Sequence, residues 1–204
     1  LNSGPASRGP VALAVSPDGK KIWAANHLRA GAANGDFTAA ALTLVENGKA
    51  VHFPLANGTQ GVRGMAVSPD GRYLAVAHVL SRYQMPTTQL DRGWMNTNAV
   101  TIMDTACPDR PHPVLLDDPD AGAANPWGVL FSPDGSRLLV THAGTHELSI
   151  IDFPALLARM KKEDRAGNPV SERLGFLHDI RTRVRLPLNG PRALASDGEN
   201  VYVT

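Results

Sequence analysis

The 204-residue chain contains a single cysteine, Cys107. One thiol excludes an internal disulfide framework, and it excludes a CxxCH haem-attachment motif within these residues. A lone cysteine of this kind reads as a small buried apolar group. Long apolar runs are also lacking: no stretch approaches the roughly eighteen residues of a membrane span. Neither sign of charge dominates, with 20 Lys and Arg against 19 Asp and Glu. That balance does not imply a polyanion-binding face, and nucleic acid is not an expected partner. No G-x-S-x-G elbow or phosphate-cradling glycine loop occurs in a strand-to-helix context, so no catalytic constellation emerges. The opening "LNSGPASRGP" has no starting methionine and no apolar signal core. Processing or truncation is the expected reason, and the compartment cannot be read from it directly.

What is present is β-rich and repetitive. A content of 43% hydrophobic and 19% charged residues is ordinary for a globular protein, and 19 glycines with 16 prolines indicate many turns. Four related segments fill the chain: "VALAVSPDGKKIWAANH" from Val11, "RGMAVSPDGRYLAVAH" from Arg63, "WGVLFSPDGSRLLVTH" from Trp127 and a shortened "PRALASDGENVYVT" from Pro191. Their serines, Ser16, Ser68, Ser132 and Ser196, recur at intervals of 52, 64 and 64 residues. A minimal four-stranded repeat needs only about 40 to 45 residues, so insertions supply the excess.

Within a copy, Met65, Val67, Leu74 and Val76 alternate with small or polar residues, the period of a strand with one packed face. Ser-Pro-Asp-Gly connects the two runs: proline presets φ, aspartate bonds nearby N–H groups and glycine accepts positive φ. "AALTLVENG", "NAVTIMDT" and "HELSIIDF" supply third strands, and "KAVHFPL", "HPVLLDD" and "TRVRLPL" supply fourth strands. Repeated four-stranded antiparallel units make an all-β protein, a β-propeller. The blades are placed at about 8–60, 61–124, 125–189 and 190–204 of one domain covering 1–204, the last of them incomplete. An open array exposes unpaired backbone at its edges. The expectation is therefore a fragment, about three and a half blades of a larger ring.

The succession of SPDG, then "VYVT" or "LLVTH", then "LSIID" resembles the YVTN-type β-propeller repeats of bacterial periplasmic and surface proteins. A narrower resemblance, carried by "SRYQMPTTQLDRGWMNTNAVTIMD" and "THAGTHELSIID", is to propellers that precede a c-type cytochrome domain similar to di-haem cytochrome c peroxidases and MauG-like proteins. This resemblance implies a seven-bladed ring, a periplasmic or cell-surface location, and a cytochrome c domain or other protein as partner. It also implies c-type haem in a further C-terminal domain, with no cofactor and no peroxidase chemistry in the residues at hand.

Function is expected on the face opposite the SPDG turns, where the loops 27–39 and 79–97 and the connections between blades lie together. The second loop concentrates Arg82, Tyr83, Asp91, Arg92, Trp94 and Asn96, residue types that anchor recognition surfaces. The alternative is a loop folded on itself, with Trp94 plugging the blade and Arg92 paired to Asp91. Eight residues after each turn aspartate stand Asn26, His78 and His142, in equivalent positions. The YVTN pattern has asparagine there. Either imidazole serves as a strand-end donor and acceptor, or His78, His142 and His146 line a ligand or partner face, or histidines converge on a metal such as copper. A lactonase-like enzyme using the same face is the catalytic alternative.

Three further segments have plainer readings. "DDPD", Asp117 to Asp120, reads as a solvated turn because it lacks the alternation of a calcium loop. "NGT" at Asn57 is a glycosylation-type sequon. "PALLARMKKED" from Pro154 predicts a helix on the SPDG face, with Arg159, Lys161 and Lys162 in solvent.

Overall fold

The computed structural model describes residues 8–28, 34–84, 95–167 and 170–204. Strands β1 (Arg8–Val15), β2 (Lys21–Leu28), β3 (Ala41–Glu46) and β4 (Lys49–Pro54) form an antiparallel sheet in chain order. The second sheet starts with an inner strand in two pieces, β5 (Thr59–Gln60) and β6 (Met65–Val67), both paired with β7 (Tyr73–Ser81). It continues through β8 (Asn96–Asp104) and β9 (His112–Leu115). The third comprises β10 (Pro126–Phe131), β11 (Arg137–His142), β12 (Glu147–Asp152) and β13 (Arg181–Arg185), and a hairpin of β14 (Leu194–Ser196) with β15 (Val201–Val203) follows. Strands β1, β6, β10 and β14 contact one another in succession. Sheets that meander outward from a row of adjoining inner strands are the blades of a β-propeller, the all-β fold expected from the repeats.

The serine of the turn motif has a defined role. Ser68 Oγ donates to Asp70 Oδ1 at 2.5 Å and accepts from Tyr73 N at 2.8 Å, while Asp70 Oδ1 also accepts from Arg72 N at 3.0 Å. Gly71 completes the turn at φ 74°, where a side chain is disfavoured. Ser16 with Asp18 and Ser132 with Asp134 repeat the arrangement. These hydrogen bonds favour the ionised carboxyl: the Ser132 hydroxyl, helped by Ser136, lowers Asp134 to about 2.

Strand β7 is buried on both faces. Leu74 and Val76 join Trp23, Leu42, Leu55 and Met103 in the core between the first and second sheets, while Ala75 and Ala77 meet Val100, Ile102, Leu138 and Val140 between the second and third. The small residues of the alternation are therefore packed against the third sheet, and their size lets the two sheets approach.

The helix predicted from Pro154 is α1 (Phe153–Ala166), with Asp152 as its N-cap and Gly167 as a left-handed C-cap. Phe153 makes edge contacts with Tyr73 and Phe131, at ring-centroid distances of 5.4 and 4.9 Å, so the helix joins two blades. A 3-10 turn at Val170–Glu172 packs against β9. Covering an outer strand protects its unpaired edge.

Three local expectations are corrected. Cys107 is exposed, because it stands in the turn that leaves β8, where its N–H bonds Asp104 O. Arg159 is not simply solvated: its guanidinium donates to the carbonyls of Phe176 and His178, both at 2.7 Å. The Asp117–Asp120 segment is a solvated turn only in its second half, where Pro119 and Asp120 are exposed and Asp118 N bonds Ala121 O. Asp117 is buried, and its carboxylate accepts from Asn98 N, Asn98 Nδ2 and Ala123 N at 2.7, 2.9 and 2.7 Å.

Candidate functional site

The face opposite the SPDG turns is built by the ends of β2, β7 and β11 and by the connections into each inner strand. At the three equivalent strand ends the side chain turns inward. Asn26 Nδ2 donates to Thr43 Oγ1 at 2.9 Å, His78 Nε2 lies 2.7 Å from Thr101 Oγ1, and His142 Nε2 lies 2.7 Å from Ser149 Oγ. In each blade the hydroxyl stands two residues beyond the partner of the slot residue on the third strand, Ala41, Ala99 and Glu147 respectively. Both imidazoles are fully buried.

The carbonyl partners assign the tautomers. His78 Nδ1 faces Val79 O and His142 Nδ1 faces Ala123 O, each at 3.1 Å. A carbonyl can only accept, so Nδ1 carries the proton and Nε2 accepts from the hydroxyl. Burial lowers the His78 pKa to about 4. Burial, with the positive charges of Arg181 and Arg183 added, lowers that of His142 to about 3. Neutral imidazoles with both nitrogens engaged and no exposed edge are strand-end linkers. Among the described residues, no group of three or more His, Cys, Asp or Glu side chains is placed to hold a metal ion.

The remaining predicted residues are distributed across the face. Arg82 donates to Ser171 O at 2.7 Å, which ties the end of β7 to the 3-10 turn. Tyr83, 40% exposed, places its hydroxyl 2.7 Å from Asp36 O and 2.8 Å from Asn57 Oδ1. The amide of Asn57 also takes Thr38 N and donates to Asp36 O, so the sequon asparagine works as a bracket between loops. Asn96 is exposed and accepts from Gln60 at 3.3 Å. His146 adopts φ 58°, and its Nδ1 accepts from Gly190 N at 3.0 Å. Asp91, Arg92 and Trp94 lie outside the described residues.

These contacts frame a groove of mixed polar and apolar lining. One cavity of about 510 Å³ between the first and second blades is lined by His27, Thr38, Gln60 and Tyr83. A second, of about 400 Å³, shares His27 and Gln60, includes Asn96 and Asn98 of the second blade and reaches Asn125 at the third. Both present amides and backbone groups, and the first adds the hydroxyls of Thr38 and Tyr83, a surface that offers hydrogen bonds to a ligand.

A feature missed from sequence holds the outer part of this face together. Arg181, with only 3% of its side chain exposed, donates to Leu116 O and pairs with Asp118 at 2.5 Å. Arg183 pairs with the same carboxylate at 3.0 Å and with Glu147, and it donates to the carbonyls of Ala121 and Gly122. The second and third blades are thereby clasped. Arg181 and Arg183, at alternate positions of "RTR", mark one face of a strand, and that was the available signal.

No family model matches the chain. Hydrazine synthase subunit beta from Kuenenia stuttgartiensis is 28% identical over 200 residues, covering 95% of this chain and 50% of that protein. The chain thus spans about half the length of the curated relative it matches. The structure of Kuenenia stuttgartiensis hydrazine synthase superposes with a TM-score of 0.80 at 24% identity, over 96% of this chain and 58% of that one. The periplasmic gluconolactonase of Pseudomonas aeruginosa gives 0.57 at 19% identity, over 96% and 50% of the two chains. Virginiamycin B lyase from Staphylococcus aureus gives 0.58 at 17% identity, over 100% and 50%. The fold these proteins share with the chain is the all-β propeller.

Proposed function

We propose that this chain is a binding and scaffolding propeller of an exported bacterial protein, and that its loop-rich face docks a protein partner of the c-type cytochrome class. The observation that carries the reading is similarity along 95% of the chain to a protein that is itself a subunit of an enzyme. The chemistry of the face agrees with it: His78 and His142 are buried and engaged, and the groove offers hydrogen-bonding groups suited to a partner's backbone and side chains. The cytochrome class of the partner and the exported location come from the resemblance of the repeats. The same reading sets this chain within a larger ring. Val11, Leu13 and Val15 of β1 are 46, 68 and 54% exposed, an apolar face of the kind that the second and third sheets bury against each other.

The test is purification of the full-length protein from its native cells, with the mass and haem content of the complex measured. The expected result is a stoichiometric complex with a haem-bearing protein, weakened by Tyr83→Ala combined with Gln84→Ala, the neighbouring residue whose amide donates to Asp36 O at 3.1 Å. A protein that runs alone, carries no haem partner and hydrolyses a lactone overturns the reading in favour of a gluconolactonase-like enzyme.

A further inference from the structure

The starts of the inner strands carry Arg63, Trp127 and Arg192 at equivalent places, each followed by a small residue: Gly64, Gly128 and Ala193. The side chains stack across three successive blades. Arg63 Cζ lies 4.7 Å from the centroid of the Trp127 ring, and Arg192 Cζ lies 4.6 Å from it. The backbone brings them together. A Cβ on Gly64 would stand 2.0 Å from Trp127 O, and one on Gly128 would stand 2.6 Å from Arg192 O, so both approaches require glycine. Arg63 N bonds Ala77 O and Gly128 N bonds Thr141 Oγ1, which anchors the strand starts to β7 and β11.

Two cations converge on one indole, and among the described residues neither guanidinium has a carboxylate partner. Five other arginines are paired, among them Arg137 with Asp152 and Arg181 with Asp118. Stacking on the ring engages the flat face of a guanidinium and leaves its in-plane N–H groups, the donors that grip a carboxylate in bidentate fashion. Trp127 is half-buried and Arg192 exposed, so solvent reaches the stack. Gln60, Gly61 and Asn125, which line the 400 Å³ cavity, stand within three residues of Arg63 or Trp127 in the sequence.

We propose that Arg63, Trp127 and Arg192 form a binding site for a small dicarboxylate at the inner end of the loop-rich face, one carboxylate to each guanidinium. Two like charges held beside one ring repel each other, and a ligand with two acidic groups removes that repulsion where a monoanion removes half of it. The site stands independently of partner docking.

The test is titration of the purified protein with succinate and with acetate at low ionic strength, followed by calorimetry and by tryptophan fluorescence. Succinate is expected to bind saturably, at least tenfold more tightly than acetate. Arg63→Gln and Arg192→Gln should each weaken it at least tenfold, whereas Arg137→Gln on the opposite face should leave it unchanged. Circular dichroism checks that each variant is folded. Should a glutamine variant fail to fold, Arg63→Lys and Arg192→Lys keep the charge and are expected to weaken binding through loss of bidentate geometry. Absence of saturable succinate binding, equal affinity for acetate, or variants that bind like the parent overturns the proposal.

Discussion

His78 and Thr101 are joined by a hydrogen bond of 2.7 Å from the Thr101 hydroxyl to Nε2, inside a blade and with no exposure of the ring. Asn26 with Thr43 and His142 with Ser149 repeat the pair in the neighbouring blades. The slot therefore links the second strand to the third, and its chemistry is a donor and an acceptor held at fixed reach.

Replacing His142 by alanine removes a buried ring and leaves the Ser149 hydroxyl and Ala123 carbonyl without this partner. The expected loss is about 2–4 kcal/mol of unfolding free energy, combining cavity and orphaned polar groups. His142→Asn, which reproduces the Asn26 arrangement, should recover part of it. Urea denaturation of the three proteins measures the difference.

Stability should fall with acidification. An unfolded imidazole titrates near 6.5, whereas folded His78 titrates near 4. Between these values the unfolded chain binds a proton that the folded chain refuses, so stability is present above pH 6.5 and is lost as pH falls towards 4. The contribution of His78 is of the order of 3 kcal/mol at neutral pH. His142 acts in the same direction, down to about 3. His78→Asn should flatten the dependence between pH 4 and 6.5, as followed by denaturant midpoints at each pH.

The interblade clasp should be worth far more than an exposed ion pair. Arg181→Ala leaves Asp118 with Arg183 alone and the Leu116 carbonyl without its donor, and a loss of about 3 kcal/mol is expected for a broken buried pair. Arg72→Ala, whose pair with Asp104 has 63% of the arginine side chain exposed, should cost less than about 1 kcal/mol. Thermal unfolding of the two variants makes the comparison.

Gly64→Ala is expected to destabilise by about 1–3 kcal/mol, since the added methyl meets a backbone oxygen that cannot swing aside as a side chain would. The same change should disturb the stack of Arg63 on Trp127. Calorimetric unfolding, with tryptophan fluorescence as the local readout, tests both.

The blade architecture was legible because it rests on local rules. Alternation of Met65, Val67, Leu74 and Val76, the Ser-Pro-Asp-Gly turn and the proline-started helix after Asp152 each depend on residues a few positions apart. The equivalence of Asn26, His78 and His142 was legible for the same reason, being counted from a repeated turn. Their partners were not, because hairpins of different length put Thr43, Thr101 and Ser149 at separations of 17, 23 and 7 residues. The burial of Asp117 and the gripping of Asp118 were not legible because nothing local marks them: Arg181 and Arg183, which pair with Asp118, come from strand β13, more than 60 residues away.

The sequence by itself determined that this protein is built of four-stranded antiparallel blades, since strand period and turn chemistry act within a hairpin. Only the tertiary structure decided that the two histidines face inward, that Asp118 is gripped by Arg181 and Arg183, and that Arg63 and Arg192 share the ring of Trp127. Those relationships connect strands or blades. They depend on how closely one backbone can approach the next, a distance set at Gly64 and Gly128 by the absence of a side chain and visible only once the blades are packed.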